Sequence, residues 1–317
     1  MSPTPLPLSH RTVAVVGGDL RMLHAAYRLG EKGARIRLLA LGDPAPNTCH
    51  PSETLSDVAK NADTLLLPLP TTRDGVTVNC PRSPDRSVTL DEIAALLRER
   101  PDLHLLGGLL PRTLLDALPE GVRTTDYYED EALLLRNAYL TAEGALMLAM
   151  QETDCALRGK TAAVIGYGRI GKLLARLLLS VGMEVTVCAR RRESLLWAAA
   201  DGCRPLQIGD AARAGRGLFP LCCGHLVLFN TVPEQVLDRD LLLRLEQGTL
   251  LVDLASAPFG ARDEDVREAE RANGLRYIRA PGIPGQYAPR DAGYAIADCV
   301  AETLRRHPTP VKGEDHL

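Results

Sequence analysis

"TAAVIGYGRIGKLLARLLLSVGMEVTVCARRRE", Thr161 to Glu193, decides the fold. An apolar run of strand length, Thr161 to Ile165, leads into Gly166, Gly168 and Gly171 at G-x-G-x-x-G spacing. An amphipathic helical stretch and a second strand at Glu184 to Cys188 follow. Each glycine has its own physical role. The first makes a tight turn, the second lets backbone approach a pyrophosphate, and the third lets helix and strand pack closely. The phosphates then rest on the helix N-terminus, where backbone N–H groups and the dipole favour an anion. In this strand-helix-strand setting the pattern points to a bound dinucleotide, with a degenerate Rossmann shell as the alternative. The expected contacts here are Gly166, Gly168, Arg169, Ile170 and Gly171.

The end of the second strand selects the dinucleotide. A carboxylate there accepts hydrogen bonds from the ribose of NAD and repels a 2′-phosphate. This chain has Ala189, Arg190 and Arg191 instead. Arginine pairs with a 2′-phosphate through charge-assisted, often bidentate hydrogen bonds, so NADP is favoured, with NAD as the other candidate. The competing reading makes Arg190 to Arg192 a solvated helix start. Cations are mildly unfavourable against the dipole at that end, which argues for another purpose.

Outward from this unit, strand-length apolar runs alternate with helical stretches in two series, the pattern of α/β proteins with parallel sheets. The first series is Thr12 to Val16, a helix near Arg21 to Lys32, Arg35 to Ala40, Thr64 to Leu67, Leu103 to Leu106 and Val122 to Thr125. The second continues from Thr161 through Leu226 to Phe229, Thr249 to Leu254 and Leu275 to Ile278. Glu129 to Leu157 has one glycine, Gly144, and no proline, so it reads as a connecting helix. The expected fold is two Rossmann-like, doubly wound domains joined by that helix. Residues 1–135 form a substrate domain, 136–157 the connection and 158–288 the dinucleotide domain. Residues 289–317 supply a final helix, about Asp291 to Arg306, that packs back on the first domain, and a frayed tail.

With 317 residues and 45% hydrophobic content the chain can bury a sizeable core. A net charge of −3 without a domain-sized basic stripe argues against nucleic acid or an anionic membrane as partner. The proline-bearing N-terminus "MSPTPLPLSH" is unlike a signal peptide, and no apolar run nears the roughly eighteen residues of a membrane span. The cytoplasm is the expected location. Eight cysteines are scattered without C-x-x-C or metal-ligand spacing, so no metal site is expected. Adjacent Cys222 and Cys223 read as two small residues entering a strand, with a redox pair as the alternative.

"VAVVGGDLRML" resembles a second phosphate loop, but Gly17-Gly18-Asp19 lacks the third glycine in register and places a carboxylate where phosphate would sit. Asp19 is instead a helix cap. Two readings of Arg21 stand: a partner for a substrate carboxylate, or a surface salt bridge. Ligands in doubly wound folds bind at the C-terminal ends of strands. That rule selects Pro68 and Pro70, Asn230 with Thr231 and Val232, Ser256 with Pro258, and the loop Pro281 to Tyr287 around Gly282. On the connecting helix Asn137, Thr141 and Glu143 are polar within an apolar run. Buried, Glu143 would have a raised pKa suited to proton transfer; exposed, it would face solvent.

Taken in order, "VAVVGGDLR", "ADTLLLPLP", "RNAYLTAEGAL", "VIGYGRIGK", "LFNTVP", "LLVDLASAPFG" and "APGIPGQYAPRDAG" resemble the sequence blocks of the A subunits of dipicolinate synthases over nearly the whole chain. Leu140 departs from that family's pattern, which carries proline before the threonine. The resemblance implies NAD(P)-dependent oxidation of a dihydrodipicolinate-type precursor to pyridine-2,6-dicarboxylate during sporulation. It also implies a partner, the flavoprotein-like B subunit of dipicolinate synthase. The substrate it implies is a small dicarboxylate, which makes Arg21 and the backbone near Ser256 and Gly282 better candidates. A homo-oligomer is expected. D-2-hydroxyacid dehydrogenases share the architecture, but those enzymes carry an arginine just after the strand that here reads "LLVDLAS" and a late catalytic histidine. This chain has Ser256 near the first position and no histidine between His225 and His307. An NADP-sensing regulatory scaffold is a further alternative.

Overall fold

The computed structural model of the chain describes residues 8–42, 49–209, 217–221 and 224–307. Cys222, Cys223 and the tail after residue 307 lie outside the described residues. The chain divides into two compact units, one of Met1–Arg136 with Ala288–Leu317 and one of Asn137–Tyr287.

In the first unit the strands are β1 (Thr12–Val16), β2 (Arg35–Leu39), β3 (Cys49–Pro51), β4 (Thr64–Leu66), β5 (His104–Gly107) and β6 (Thr124–Asp126), in spatial order β3-β2-β1-β4-β5-β6. In the second they are β7 (Thr161–Ile165), β8 (Glu184–Ala189), β9 (Arg204–Gln207), β10 (Val227–Asn230), β11 (Leu250–Asp253) and β12 (Arg276–Arg279), in order β9-β8-β7-β10-β11-β12. All pairings are parallel. Both sheets therefore have the 3-2-1-4-5-6 order of a doubly wound fold, and both reverse direction beside their first strand.

Parallel neighbours cannot be joined by tight hairpins, so connections cross the faces and cover them, and the strands lose the polar alternation of a half-exposed sheet. β1, "TVAVV", shows the result. Val13 and Val15 enter a core with Met22, Leu29 and Ile296, while Ala14 and Val16 enter another with Ile93 and Leu97. β7, "TAAVI", divides the same way: Ala162 and Val164 pack with Leu174 and Leu178, Ala163 and Ile165 with Leu237 and Leu241.

The helices are α1 (Leu20–Glu31), α2 (Leu55–Ala59), α3 (Leu90–Glu99), α4 (Arg112–Asp116), α5 (Glu131–Glu152), α6 (Arg169–Ser180), α7 (Arg192–Ala200), α8 (Arg239–Arg244), α9 (Asp263–Asn273), α10 (Ile283–Tyr287) and α11 (Pro289–Arg306). α5 runs through Leu140 unbroken, and the division between units falls inside it, after Arg136. It is shorter at its C-terminal end than the sequence pattern predicts, stopping at Glu152. α11 opens with Pro289 in its first turn, where a missing N–H costs nothing. It lies so close along α1 that a Cβ on Gly293 would sit 2.4 Å from the Arg21 carbonyl oxygen. Among the described residues no helix is long and apolar enough to cross a membrane.

Two strands were not predicted: β3, "CHP", and β9, "RPLQ". Both lie at sheet edges and contain proline, which an edge tolerates because one side needs no ladder donor.

Candidate functional site

The strand order of the second sheet reverses between β7 and β10, so their following loops part and open a crevice at the C-terminal edge. Gly166 ends β7 at φ +98°, a conformation that glycine adopts without a Cβ penalty. Gly168 is the N-cap of α6, with no side chain closing the helix end, and a Cβ built on it would meet nothing within 4 Å. Open space therefore stands before the helix N-terminus, where a pyrophosphate binds. Gly171 permits the close packing, since its Cβ would sit 2.2 Å from the Gly166 carbonyl oxygen. The three glycines meet the steric demands of a dinucleotide. Arg169 is exposed beside them, and Ile170 packs its partly buried side chain on the core.

The opposite wall is the turn after β10. Thr231 donates both its backbone N–H and its Oγ1 hydroxyl to the Ile165 carbonyl, each at 2.9 Å. A Cβ on Gly166 would lie 2.3 Å from Thr231 Oγ1 and 3.0 Å from Val232 Cγ2, so this turn and the glycine loop are fitted to one another. Asn230 is fully buried and fastens the turn internally: its Nδ2 donates to the Val232 carbonyl at 3.0 Å, and its Oδ1 accepts from the Val232 N–H at 3.1 Å.

Beneath it lies Asp253, at the end of β11, with no exposure. Its carboxylate accepts from Asn230 Nδ2 (2.9 Å), the Ala255 N–H (3.1 Å), the Gly260 N–H (2.7 Å) and the Tyr277 hydroxyl (2.5 Å). Burial, and then this carboxylate, push the Tyr277 pKa upward, so the phenol keeps its proton and remains a donor. Tyr167, the central residue of "GYG", is likewise buried and donates to Asp201, which Arg176 also pairs. Sequence reasoning missed Asp253, Tyr277 and the Tyr167–Asp201 tie. A carboxylate closing the apolar strand "LLVD" was the available signal.

At the end of β8, Ala189 is buried and Arg190 exposed. The Arg190 guanidinium is engaged: Nη1 and Nη2 donate to Glu234 Oε2 and Oε1 at 3.3 and 3.2 Å. Arg191 is the exposed N-cap of α7, without a capping hydrogen bond, and Glu193 in the first turn offsets the cation.

In the first unit, Asp19, Arg21, Pro68 and Pro70 gather at the corresponding reversal, between β1 and β4. Asp19 caps α1 by accepting the Arg21 N–H at 2.9 Å. Its carboxylate also takes Arg21 Nε (3.0 Å) and Nη2 (2.7 Å), while Nη2 reaches the Leu69 carbonyl at 2.6 Å. Arg21 is 8% exposed and Asp19 partly so, which makes this a part-buried ion pair and not the surface salt bridge considered from sequence. No partner among the described residues is found for Nη1. The loop itself is filled from within the unit: the Gly18 N–H donates to the Asn79 carbonyl at 2.8 Å, and a Cβ on Gly17 would lie 2.7 Å from Cys80 Sγ. Pro68 closes over Gly18, and the Pro70 carbonyl accepts from Asn79 Nδ2 at 3.4 Å.

On α5, Asn137 and Thr141 are buried, and the Thr141 hydroxyl donates to the Asn137 carbonyl at 2.7 Å. Glu143 is exposed and faces solvent, outside the buried setting in which sequence reasoning gave it a proton-transfer role. Next to it Gly144 admits α10: a Cβ there would stand 2.2 Å from Ile283 Cγ2. Ser256 and Gly282 are both exposed beyond the ends of β11 and β12, Gly282 at φ +70°. No hydrogen bond joins Ser256 or Gly282 to the glycine loop among the described residues.

Residues 12–128 match the family described as the N-terminal domain of the dipicolinate synthase A subunit. Residues 137–257 match the NAD binding domain of D-isomer specific 2-hydroxyacid dehydrogenases. The dipicolinate synthase A subunit of Bacillus subtilis (strain 168) is 28% identical over 301 residues, covering 92% of this chain and 95% of that protein. The crystal structure of the dipicolinate synthase A subunit from Bacillus halodurans superposes with a TM-score of 0.79 at 27% identity, over 95% of this chain and 99% of that one. The crystal structure of its Bacillus subtilis counterpart gives 0.79 at 26% identity, over 96% and 98%. The second unit is thus a nicotinamide-dinucleotide domain of oxidoreductase type, and by the N-terminal match and the near full-length likeness the chain is similar to the dipicolinate synthase A subunit.

Proposed function

We propose that the chain is the dinucleotide-dependent subunit of a dipicolinate synthase, oxidising a dihydrodipicolinate-type ring to pyridine-2,6-dicarboxylate. It uses NADP in preference to NAD and acts as a homo-oligomer beside a flavoprotein-like B subunit in the cytoplasm of a sporulating cell. One observation carries the reading: the N-terminal domain typical of the A subunit occurs in the same chain as a dinucleotide loop with all three glycines in working geometry.

When bound, the dinucleotide would accept hydride from the ring at the nicotinamide C4. The chain's own residues bind and orient. The N-terminal turn of α6 receives the pyrophosphate, the Asn230–Val232 turn walls the crevice, and Arg190 with Arg191 meets the 2′-phosphate. For substrate carboxylates the candidates are Arg21, pre-aimed by Asp19 and with no partner for Nη1 among the described residues, and the backbone near Ser256 and Gly282. Pro68 and Pro70 shape the loop that carries the Leu69 contact. Asn137, Thr141 and Glu143 remain the proposed polar groups of α5, with Glu143 the one that faces solvent.

The test is a titration of dihydrodipicolinate with NADP and the full chain, with and without a co-expressed B subunit, followed by nicotinamide absorbance. Reduction of NADP in either mixture is expected, and none in both would sink the reading. A D-2-hydroxyacid dehydrogenase reading draws on the NAD-domain match alone. Turnover of D-2-hydroxyacids in the same assay would favour it. NADP binding with no turnover of any of these substrates would favour a sensing scaffold.

A further inference from the structure

The carboxylate absent from the end of β8 is present in space, delivered from the loop after another strand. Glu234 stands in the loop after β10 and grips both terminal nitrogens of Arg190. Its mount is well defined. Thr231 is bonded twice to the end of β7, Asn230 closes the turn, and the Glu234 carbonyl itself accepts the Val236 N–H at 2.8 Å. The same turn lines Gly166, so the acid is carried on the wall of the dinucleotide crevice. The pair is about half exposed, 49% for Arg190 and 44% for Glu234, and therefore open to exchange of partners.

We propose that Glu234 is a specificity-determining residue: it competes with the 2′-phosphate of NADP for the Arg190 guanidinium and so sets the preference between the two dinucleotides. This rests on the role given to Arg190 above. A guanidinium edge holds one bidentate acceptor at a time. The 2′-phosphate must displace Glu234 before it can take the guanidinium, whereas NAD binds with the ion pair intact. Half-exposed ion pairs hold weakly, so the competition is worth about fivefold in affinity, and screening by salt reduces it.

The experiment measures Kd for NADP and for NAD by calorimetry on the full chain at low salt, with Arg190→Ala, Glu234→Gln and the double variant, each checked for folding by circular dichroism. The ratio of the NAD to the NADP Kd should rise about fivefold in Glu234→Gln and fall about tenfold in Arg190→Ala. In the Arg190→Ala background, Glu234→Gln should change it by less than about twofold. If Arg190→Ala lowers the ratio but Glu234→Gln leaves it unchanged, the competition is wrong while NADP recognition by Arg190 stands. If Arg190→Ala leaves the ratio unchanged, both readings fall. A Glu234→Gln effect of equal size without Arg190 would overturn the proposal, since the carboxylate would then act on the phosphate directly.

Discussion

Asp253 holds the site together from below. A buried carboxylate is tolerated only when donors replace the water it has lost, and two backbone amides, a side-chain amide and a phenol do so here. Asp253→Ala would strip the acceptor from all four. Each orphaned donor costs about 1–3 kcal/mol, so a loss of at least about 3 kcal/mol in urea unfolding is expected, with weaker dinucleotide binding as the Asn230 turn loosens. Tyr277→Phe removes one donor and should cost about 1 kcal/mol. His104 gives the first unit a separate signature. Burial, then Arg123, His307 and Arg11, lower its pKa from 6.5 to about 4, and its Nε2 lies 2.9 Å from Thr125 Oγ1. Because the unfolded chain takes up this proton at higher pH than the folded one, the stability from neutral His104 is present above pH 6.5 and drains away toward pH 4. Between pH 7 and pH 5 the loss should be about 2 kcal/mol, and His104→Gln should flatten that part of the urea-derived profile. His104 was not legible in the sequence, and Asp253 was marked there only as a carboxylate closing an apolar strand. Asp253 is one acid among forty acidic side chains, and its partners arrive from three other segments. Glu234 faces Arg190 across 44 positions, a pairing that no local period records. The glycines could be read because their roles are local, each fixed by a turn or by the helix that follows.

At the scale of elements, the covered strands were read most closely, although the exposed edge strands β6 and β12 were also found. β1 and β7 were predicted residue for residue, because covering both faces of a parallel sheet demands an unbroken apolar run. The edge strands β3 and β9, half of whose surroundings are water, carry no such demand and gave no pattern. Helix positions were close, yet the sequence could not say how near α11 comes to α1. Gly293 does: a methyl group there would strike the backbone of Arg21. Gly293→Ala should therefore cost about 1–3 kcal/mol by overpacking, although alanine favours an isolated helix. A drop in Tm of the first unit, where helix propensity alone predicts a rise, is the outcome that checks this contact.

Across the whole molecule the two units share a strand order and differ in what fills the reversal point. The second leaves open space before α6. The first closes its loop with Asn79 and Cys80, and its helix N-terminus is taken by Asp19. The sequence already separated them, through the missing third glycine and the acid at residue 19. A fragment of residues 131–287 keeps all of α5 and every strand of the second sheet, and should fold and bind dinucleotide by itself. Residues 8–136 without α11 leave the α1 face that receives Ile296 and Val300 uncovered, and should show weak, non-cooperative urea unfolding. Equal cooperativity of the two fragments would refute that difference.

That last helix also orders events during synthesis. The second unit is a continuous segment, whereas the first is split around it. During synthesis all of the second sheet has been translated before α11 is. The earlier half must wait with part of its core uncovered while the later half matures. The first part to be made is the last to be finished, and for that interval it is the part of the nascent chain most in need of a chaperone.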